Sequence, residues 1–386
     1  MLNLSKSMKD NATDLQQWTQ LLQETVNHRP DWIRILYLII LFAIFVVGVT
    51  GNLLTCVVIY FNKTMHTATN CYLFTLAVSD LLVSFGIILE IIEHTHYDDI
   101  LEYRESVCKV HFFLVVTLFH NGILIMTALS IERYIAIWHP LLLNSRPLWK
   151  RIMKIIILIW TLAILETFPE VFTVELIKTR SLSICCIVPS NFARWLNGVL
   201  AVVNFIIPLT IMIFVYAAIA VKVNMAQRST QPRDKIFNHR NNTKKVNKLV
   251  VALTLSFIIC WLPIFTMRVL IVFVDFPLSP QLLQNWDILF MLTSTNSWFT
   301  IVLNPILFSL MSTKFREALK SLWDAKFKRK QTQLCVADGT RTRTLRSPGE
   351  CTDQLCYRGP DGHIEILLAI LKLQCSAISS HYRYLL

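Results

Sequence analysis

Seven long apolar stretches follow one another along the chain, and they constrain its fold more than any other feature. Each has about 20 residues or more, the length that a helix rising 1.5 Å per residue needs to cross roughly 30 Å of hydrocarbon. Most helices of soluble proteins are shorter and are apolar along the face that packs on the core. The sequence therefore predicts an all-α membrane protein, a bundle of seven transmembrane helices. The stretches, called spans 1 to 7, cover residues 33–61, 71–92, 110–131, 152–174, 196–223, 247–274 and 287–311.

Composition separates this chain from soluble and disordered proteins. Only 16% of its 386 residues are charged and 54% are hydrophobic, whereas a soluble domain has about 25% charged residues. Disordered chains are rich in charge and poor in apolar residues. The sequence shows no nucleophile paired with a base, no cluster of metal ligands and, with 9 glycines, no glycine-rich phosphate loop. We therefore expect that the chain is not an enzyme and needs no cofactor or metal.

The basic residues indicate the orientation of the spans, because Lys and Arg accumulate in the short cytoplasmic loops of membrane proteins. The segments 62–70, 138–151, 222–248 and 314–330 together carry +16, while those on the opposite side carry −3. We therefore expect the N-terminus outside the cell and the C-terminus inside. The inner charge indicates contact with anionic membrane lipid and with an acidic cytosolic protein surface, not with nucleic acid.

Two glycosylation sequons begin at Asn3 and Asn11. Both lie in the N-terminal segment that the charge distribution places outside, and sequons of this kind mark surface segments exposed to the secretory pathway. They agree with the proposed orientation.

Seven short motifs of polar, aromatic and proline residues occur in order, each in its own span. An ionisable residue inside a span is costly and is a functional hypothesis by default. One motif alone is weak evidence, but seven in order are specific. They are Gly51-Asn52, Leu76-Ala77-Val78-Ser79-Asp80, Glu132-Arg133-Tyr134, Trp160, Pro208 with Tyr216, Phe257-x-x-Cys260-Trp261-Leu262-Pro263, and Asn304-Pro305. On these motifs the chain resembles the rhodopsin-like (class A) G protein-coupled receptors over about residues 30–330.

A finer resemblance is to the receptors for neuromedin U, pyrokinin and CAPA peptides. It rests on the segments 66–74 and 304–316 and on Arg268, which lies five residues beyond Pro263. The resemblance implies a plasma-membrane receptor that binds an extracellular amidated peptide and activates a heterotrimeric G protein, of the Gq class with calcium release. The alternatives are an orphan or constitutively active receptor with a different peptide ligand, a transporter, and a non-signalling membrane scaffold.

The resemblance places the ligand at the outer ends of the spans. Glu90 is expected to pair with an arginine of the peptide, Arg268 to bind its amidated C-terminus, and Trp261 to lie one turn below the ligand. Val115 stands where amine receptors carry an aspartate, which argues against a biogenic amine. Val116 replaces the family's second acidic ligand contact, so the binding chemistry departs from the family at this position.

The resemblance also implies residues that change their contacts on activation. Arg133 is the expected switch: Glu132 pairs with it in the resting state, and in the active state it turns toward Tyr216 and the G protein. Trp261 and Phe257 resemble the packing switch of the family. The full set is Glu132, Arg133, Tyr134, Tyr216, Phe257, Pro263, Asn304, Pro305 and Phe308, the last in place of the usual tyrosine.

Asp80 and Asn304 resemble the buried sodium site of the family. The other usual ligands are replaced, because Gly122, Thr300 and Ile301 occupy their places. A lone buried carboxylate needs a cation or a proton. We therefore expect a structural role for Asp80 and at most a remnant of the sodium site.

By the same resemblance Cys108, at the start of span 3, forms a disulfide with Cys185 or Cys186 of the second outer loop. The outside of the cell is oxidising, which favours such a bond. Cys186 fits the family spacing slightly better than Cys185, and both pairings stay open.

These observations divide the chain into four segments. Residues 1–32 are the extracellular N-terminus, and residues 33–311 are the receptor domain. Residues 312–331 carry apolar side chains on one face among lysines and arginines, which predicts an amphipathic helix on the inner leaflet. Residues 332–386 are an atypical cytoplasmic tail that we expect to be disordered.

Overall fold

The computed structural model describes residues 30–94, 105–141, 148–178, 183–188, 190–228, 234–273, 280–322 and 324. Within this part of the chain, six helices are long and apolar enough to cross a membrane, and the seventh qualifies together with the short helix that follows it. The predicted bundle of seven helices is confirmed. Spans 1 to 4 are Asp31–Phe61, Ala68–His94, Glu105–Trp138 and Leu148–Thr167, and spans 6 and 7 are Asp234–Phe273 and Pro280–Met311. Span 5 consists of Asn191–Ala201, Val202–Ile206 and Ile207–Arg228.

Span 3 lies at the centre of the bundle. It packs against spans 2, 4, 5 and 6, while span 1 contacts spans 2 and 7 at the periphery. Many large apolar side chains remain exposed on the outer faces of the helices, such as Phe42, Leu165 and Phe214. An apolar surface of this extent belongs against lipid rather than water.

Span 4 ends earlier than its apolar pattern predicts. The α-helix stops at Thr167, and a 3₁₀-helix, Phe168–Thr173, continues the chain. Pro169 explains the change, because it lacks an amide hydrogen and disfavours α geometry in the residue before it. This tighter segment carries Glu170 to the outer end of the bundle.

Span 5 contains a turn of π-helix, Val202–Ile206, that the sequence did not predict. Pro208 lies just beyond it and cannot donate to the carbonyl four residues earlier, so a wider turn at this point is physically reasonable. The π-turn holds Asn204, which is fully buried, with its Nδ2 at 3.5 Å from Nε2 of His120.

A β-hairpin follows span 4. Strand β1, Val174–Lys178, pairs antiparallel with strand β2, Ser183–Ile187. Cys185 of β2 forms a disulfide with Cys108 at the start of span 3, with the two Cα atoms 5.6 Å apart.

Of the two pairings that the sequence left open, the structure has Cys108–Cys185 and not the slightly favoured Cys108–Cys186. Successive residues of a strand face opposite sides, so only one of two consecutive cysteines can meet span 3. The register pairs Leu176 with Cys185 and Glu175 with Cys186, and it is Cys185 that bonds Cys108.

The chain divides into two units, Met1–Arg316 and Glu317–Leu386. A short helix, Thr313–Leu322, begins after span 7, and Phe315 in its first turn is buried. Its placement on the inner leaflet stays a prediction. The rest of the predicted amphipathic segment, apart from Asp324, lies outside the described residues, as do the tail 332–386 and residues 1–29 with both sequons.

Gly51 marks a close approach of spans 1 and 7. A Cβ atom built on it would lie 2.8 Å from Cγ and 3.0 Å from Cβ of Pro305. Small residues at helix interfaces allow backbones to approach in this way. Since a proline ring cannot turn aside, the contact leaves no room for a larger residue.

We expect Gly51→Ala to lower the stability of the purified protein by about 1–3 kcal/mol, because added atoms in a close-packed interface force a backbone shift. Gly198→Ala is the matched control, since a Cβ atom there has no neighbour within 4 Å. Thermal unfolding in detergent measures both variants. A Gly51→Ala protein as stable as the Gly198→Ala protein would contradict this account of the interface.

Candidate functional site

Arg268, near the outer end of span 6, is held in a polar cluster. Its Nε and Nη2 donate to Oδ1 of Asn197 at 3.1 and 2.7 Å, and Nη2 also forms an ion pair with Oε2 of Glu170. The Glu170 side chain is fully buried, whereas 18% of the Arg268 side chain is exposed. The cluster joins spans 5 and 6 to the 3₁₀-helix after span 4 and gives the guanidinium one orientation.

His120 of span 3 contacts the same cluster. Its Nδ1 lies 3.1 Å from Oγ1 of Thr167 and 3.9 Å from Oε2 of Glu166, and its Nε2 lies 3.6 Å from Oε1 of Glu170. Both of these carboxylate oxygens are buried and have no hydrogen-bond partner among the described residues. Two carboxylates thus approach one imidazole ring, and one of them, Glu170, also pairs with the guanidinium.

Sequence reasoning found Arg268 but not His120, Glu170 or Asn197 as its neighbours. His120 carried a usable signal, because a histidine inside a span is rare and faces the bundle interior. Glu170 and Asn197 carried none, since polar residues at the ends of spans are ordinary.

Glu90, the other predicted ligand contact, belongs to a different group of side chains. Its Oε1 accepts a hydrogen bond of 2.8 Å from the hydroxyl of Tyr37 in span 1 and lies 3.9 Å from Nδ1 of His94. Its side chain is 22% exposed. Among the described residues, no contact joins Glu90 to Arg268.

Trp261 lies in an aromatic cluster at the centre of the bundle. Its ring meets Phe119 edge-on with centroids 4.9 Å apart and lies 6.1 Å from Phe257. Ile123, the buried neighbour from span 3, belongs to the same core group. Phe119 also meets Trp298 of span 7 at 5.0 Å, so the cluster links spans 3, 6 and 7.

Asp80 and Asn304 are also brought together. Nδ2 of Asn304 donates to Oδ2 of Asp80 at 2.9 Å, and both residues are buried. Nearby, Asn52 donates to the carbonyl oxygens of Gly48 and Ile301, each at 2.9 Å. These bonds tie spans 1, 2 and 7 together at mid-depth.

Glu132 is bound to Arg151 of span 4 rather than to Arg133, with Nη2 and Oε1 2.7 Å apart. The predicted local pair is thus replaced by one between two helices. Adjacent residues of a helix point in different directions, so a neighbour on a facing helix competes well for the carboxylate. Nε of Arg133 is buried and has no hydrogen-bond partner among the described residues.

The other predicted switch residues form hydrogen bonds and ring contacts within the bundle. The hydroxyl of Tyr216 bonds Oγ of Ser130 at 2.7 Å and Oγ1 of Thr254 at 2.8 Å. Pro263 and Pro305 lie inside their helices. The ring of Tyr134 stacks on that of Trp138, and Phe308 packs against Phe315 with centroids 4.7 Å apart.

Arg151→Ala should lower the stability of the protein by about 2 kcal/mol, because it leaves the buried carboxylate of Glu132 without its cation. Lys154→Ala, an exposed lysine on the same helix, is the matched control and should have no effect. The midpoint of thermal unfolding reports the difference. Equal midpoints for the two variants would show that the pair contributes nothing.

Comparison with known proteins gives a clear family. The profile of the family described as 7 transmembrane receptor (rhodopsin family) matches residues 51–308. This range begins at the motif of span 1 and ends with Phe308 in span 7.

Individual relatives come from vertebrates and invertebrates. Neuromedin-U receptor 2 of Mus musculus is 31% identical over 290 residues, which cover 72% of this chain and 73% of that protein. A neuromedin U receptor homolog of Caenorhabditis elegans is 28% identical over 71% of this chain and 76% of its own length. The pyrokinin-1 receptor of Drosophila melanogaster is 26% identical over 72% of this chain and 77% of its own length.

The bundle of seven helices, the motifs in order and the family match agree. The chain belongs to the rhodopsin family of seven-transmembrane receptors, the G protein-coupled receptors, as a multi-pass plasma-membrane protein of the neuropeptide-receptor group and not an enzyme.

Proposed function

We propose that this receptor binds an extracellular amidated peptide of the neuromedin U and pyrokinin type and activates a G protein of the Gq class, with release of calcium. The observation that supports this most is Arg268, a partly exposed guanidinium held in one orientation near the outer end of span 6. A fixed guanidinium is a strong, directional donor to a carbonyl oxygen. Relatives named as neuromedin U and pyrokinin receptors indicate the class of ligand.

Glu90 provides the complementary negative charge for a basic residue of the peptide. Both of its side-chain contacts among the described residues use Oε1, which leaves Oε2 for a ligand. Tyr37 orients the carboxylate and therefore reduces the entropy lost when a ligand pairs with it. Glu90 and Arg268 together define two separate anchors, one for an arginine side chain and one for the amidated end.

Span 6 carries the signal from the ligand to the inner face. Trp261 precedes Arg268 by seven residues, which is two helical turns, so both lie on nearly the same face. Span 6 is proposed to have two positions in equilibrium. A ligand that binds Arg268 more tightly when span 6 is in one of them shifts the equilibrium toward that position. The aromatic contacts of Trp261 with spans 3 and 7 would then rearrange, as in other packed two-state clusters.

Arg133 and Tyr216 are the proposed contacts for the G protein. The Tyr216 hydroxyl bridges spans 3 and 6 through Ser130 and Thr254, so movement of span 6 must break one of these bonds. The basic inner segments, at +16 in total, provide a surface that attracts an acidic protein partner.

A receptor with high basal activity is the second candidate, and one observation favours it. Glu132 is engaged by Arg151, and among the described residues no salt bridge joins its carboxylate to Arg133. Inositol phosphate accumulation without ligand, at matched surface expression, separates the candidates. Basal signalling equal to that of cells without the receptor rejects the second candidate, and high signalling that no peptide increases rejects the first.

The direct test of the proposal is calcium release in transfected cells exposed to a panel of amidated peptides. Glu90→Gln should reduce the potency of an arginine-bearing peptide at least about tenfold, because a charged hydrogen bond becomes a neutral one. The same peptide with citrulline in place of arginine is a neutral match in shape. The potency of the citrulline peptide should be the same at the Glu90→Gln receptor as at the wild type. An equal loss of potency for both peptides would show that Glu90 is not in the ligand site.

Arg133→Ala should abolish the G-protein response and leave peptide binding within a few-fold of the wild type. Lys154→Ala is the control for an inner-side charge change, and surface expression is measured in parallel. A calcium response that survives in the Arg133→Ala receptor would contradict the proposed switch.

A further inference from the structure

The guanidinium of Arg268 is engaged along one edge only. Nε and Nη2 are occupied by Asn197 and Glu170, while Nη1 makes no hydrogen bond to another described residue. The exposed fraction of the side chain, 18%, gives a ligand access to it. Arg268 therefore offers a ligand a directional donor whose charge is already paired.

Within the ion pairs of the described residues, the group around this donor carries no surplus of positive charge. Arg268 is the one full cation of these pairs, and the carboxylates of Glu170 and Glu166 both lie within 4 Å of the ring of His120. With both acids ionised and His120 neutral the group sums to −1, and one proton on His120 or on Glu166 brings the sum to zero. Both carboxylates have a buried oxygen without a hydrogen-bond partner among the described residues, so their negative charge is weakly screened.

A free carboxylate and a carboxamide respond differently to such an environment. A carboxamide gains a hydrogen bond from Arg268 to its carbonyl oxygen and brings no charge. A free carboxylate brings a negative charge close to Glu170, and like charges close together in a poorly solvated site are strongly disfavoured. A guanidinium without Glu170 would instead favour the carboxylate, its usual bidentate partner.

We propose that Glu170 is the specificity-determining residue that makes this receptor select a peptide with an amidated C-terminus and reject the same peptide with a free carboxylate. It acts through Arg268 as a positioning residue, by holding the guanidinium edge and cancelling its charge. This inference rests on the proposed function, since it assumes that the C-terminus of a peptide binds at Arg268. It also gives a role to an acid that lies in the 3₁₀-helix after span 4, while Val116 stands at the family's acidic position in span 3.

The test compares one peptide in two forms, amidated and free acid, through binding and calcium release. The wild-type receptor should prefer the amide. Glu170→Gln should reduce the ratio of amide to acid affinity by on the order of tenfold, chiefly through tighter binding of the acid, because a like charge is removed. Glu170→Asp, which keeps the charge, should retain most of the preference.

Two further variants keep the proposal falsifiable where Glu170→Gln fails to reach the cell surface. Asn197→Asp adds a negative charge beside Arg268 and should increase the preference for the amide. Glu175→Gln removes an exposed acid on strand β1 and should leave the ratio unchanged. Glu170→Gln should lower the ratio of amide to acid affinity and Asn197→Asp should raise it. General damage to the fold is not expected to shift this ratio in opposite directions.

The outcomes are distinct. A wild-type receptor that binds no amidated peptide overturns the proposed function and this inference with it. A receptor that prefers the amide, but whose ratio is unchanged by both Glu170→Gln and Asn197→Asp, overturns the inference alone. Equal loss of both peptide forms in Glu170→Gln, with an unchanged ratio in Asn197→Asp, likewise shows that Glu170 is merely structural.

Discussion

The hydrocarbon interior of the membrane offers no water, so every polar group buried there must find its partner within the protein. This constraint explains why the few ionisable side chains of the spans occur in pairs and clusters. At the outer end Glu170 meets Arg268, at mid-depth Asp80 meets Asn304, and at the inner end Glu132 meets Arg151. Each of these contacts joins different helical elements, and together with the contact of Gly51 with Pro305 they fix the arrangement of the helices.

Span 6 contributes residues to the ligand site at the outer end, to the aromatic core and to the contacts near the inner face. Span 6 carries Arg268 near its outer end, Trp261 and Phe257 in the aromatic core, and Thr254, whose hydroxyl donates to that of Tyr216. Because a helix transmits displacement along its length, a ligand at Arg268 and a protein partner at the inner face can bias the same element. This is the physical requirement for coupling between two sites.

The sequence was sufficient for the bundle but not for the partners within it. Apolar length alone predicts the spans, since the thickness of the hydrocarbon fixes the number of residues. Asp80 with Asn304 and Trp261 with Phe257 followed from a resemblance to a family whose motifs recur in order. The pairs Glu132–Arg151 and Glu170–Arg268 did not follow, because the identity of a partner depends on how the helices rotate and cross.

Local chemistry accounts for the remaining differences from expectation. The π-turn ahead of Pro208 places Asn204 in the interior, and the 3₁₀-helix at Pro169 positions Glu170. Both follow from proline's missing donor, but the pattern of apolar residues shows neither. The choice of Cys185 over Cys186 depends on the register of a short hairpin, and a shift by one residue would reverse it.

Span 4 and the turn that follows it provide the ionic partner at both ends of the bundle. Arg151, in the first turn of span 4, holds Glu132 of span 3, while Glu170, just beyond its last turn, holds Arg268 of span 6. The inner pair joins two helices that pack against each other, so it resists motion of span 3. The outer pair joins the end of span 4 to the helix that the proposed mechanism requires to move.

A buried ion pair loses much of its stabilising energy when its geometry is disturbed. When span 6 moves, Glu170 must therefore either move with Arg268 or be replaced as its partner by a group of the ligand. A carbonyl oxygen that binds Nη1 lets Glu170 move with span 6 and leaves the Glu170–Arg268 pair intact. A charged C-terminus would instead compete with Glu170 for the guanidinium, so a neutral C-terminus has an energetic advantage.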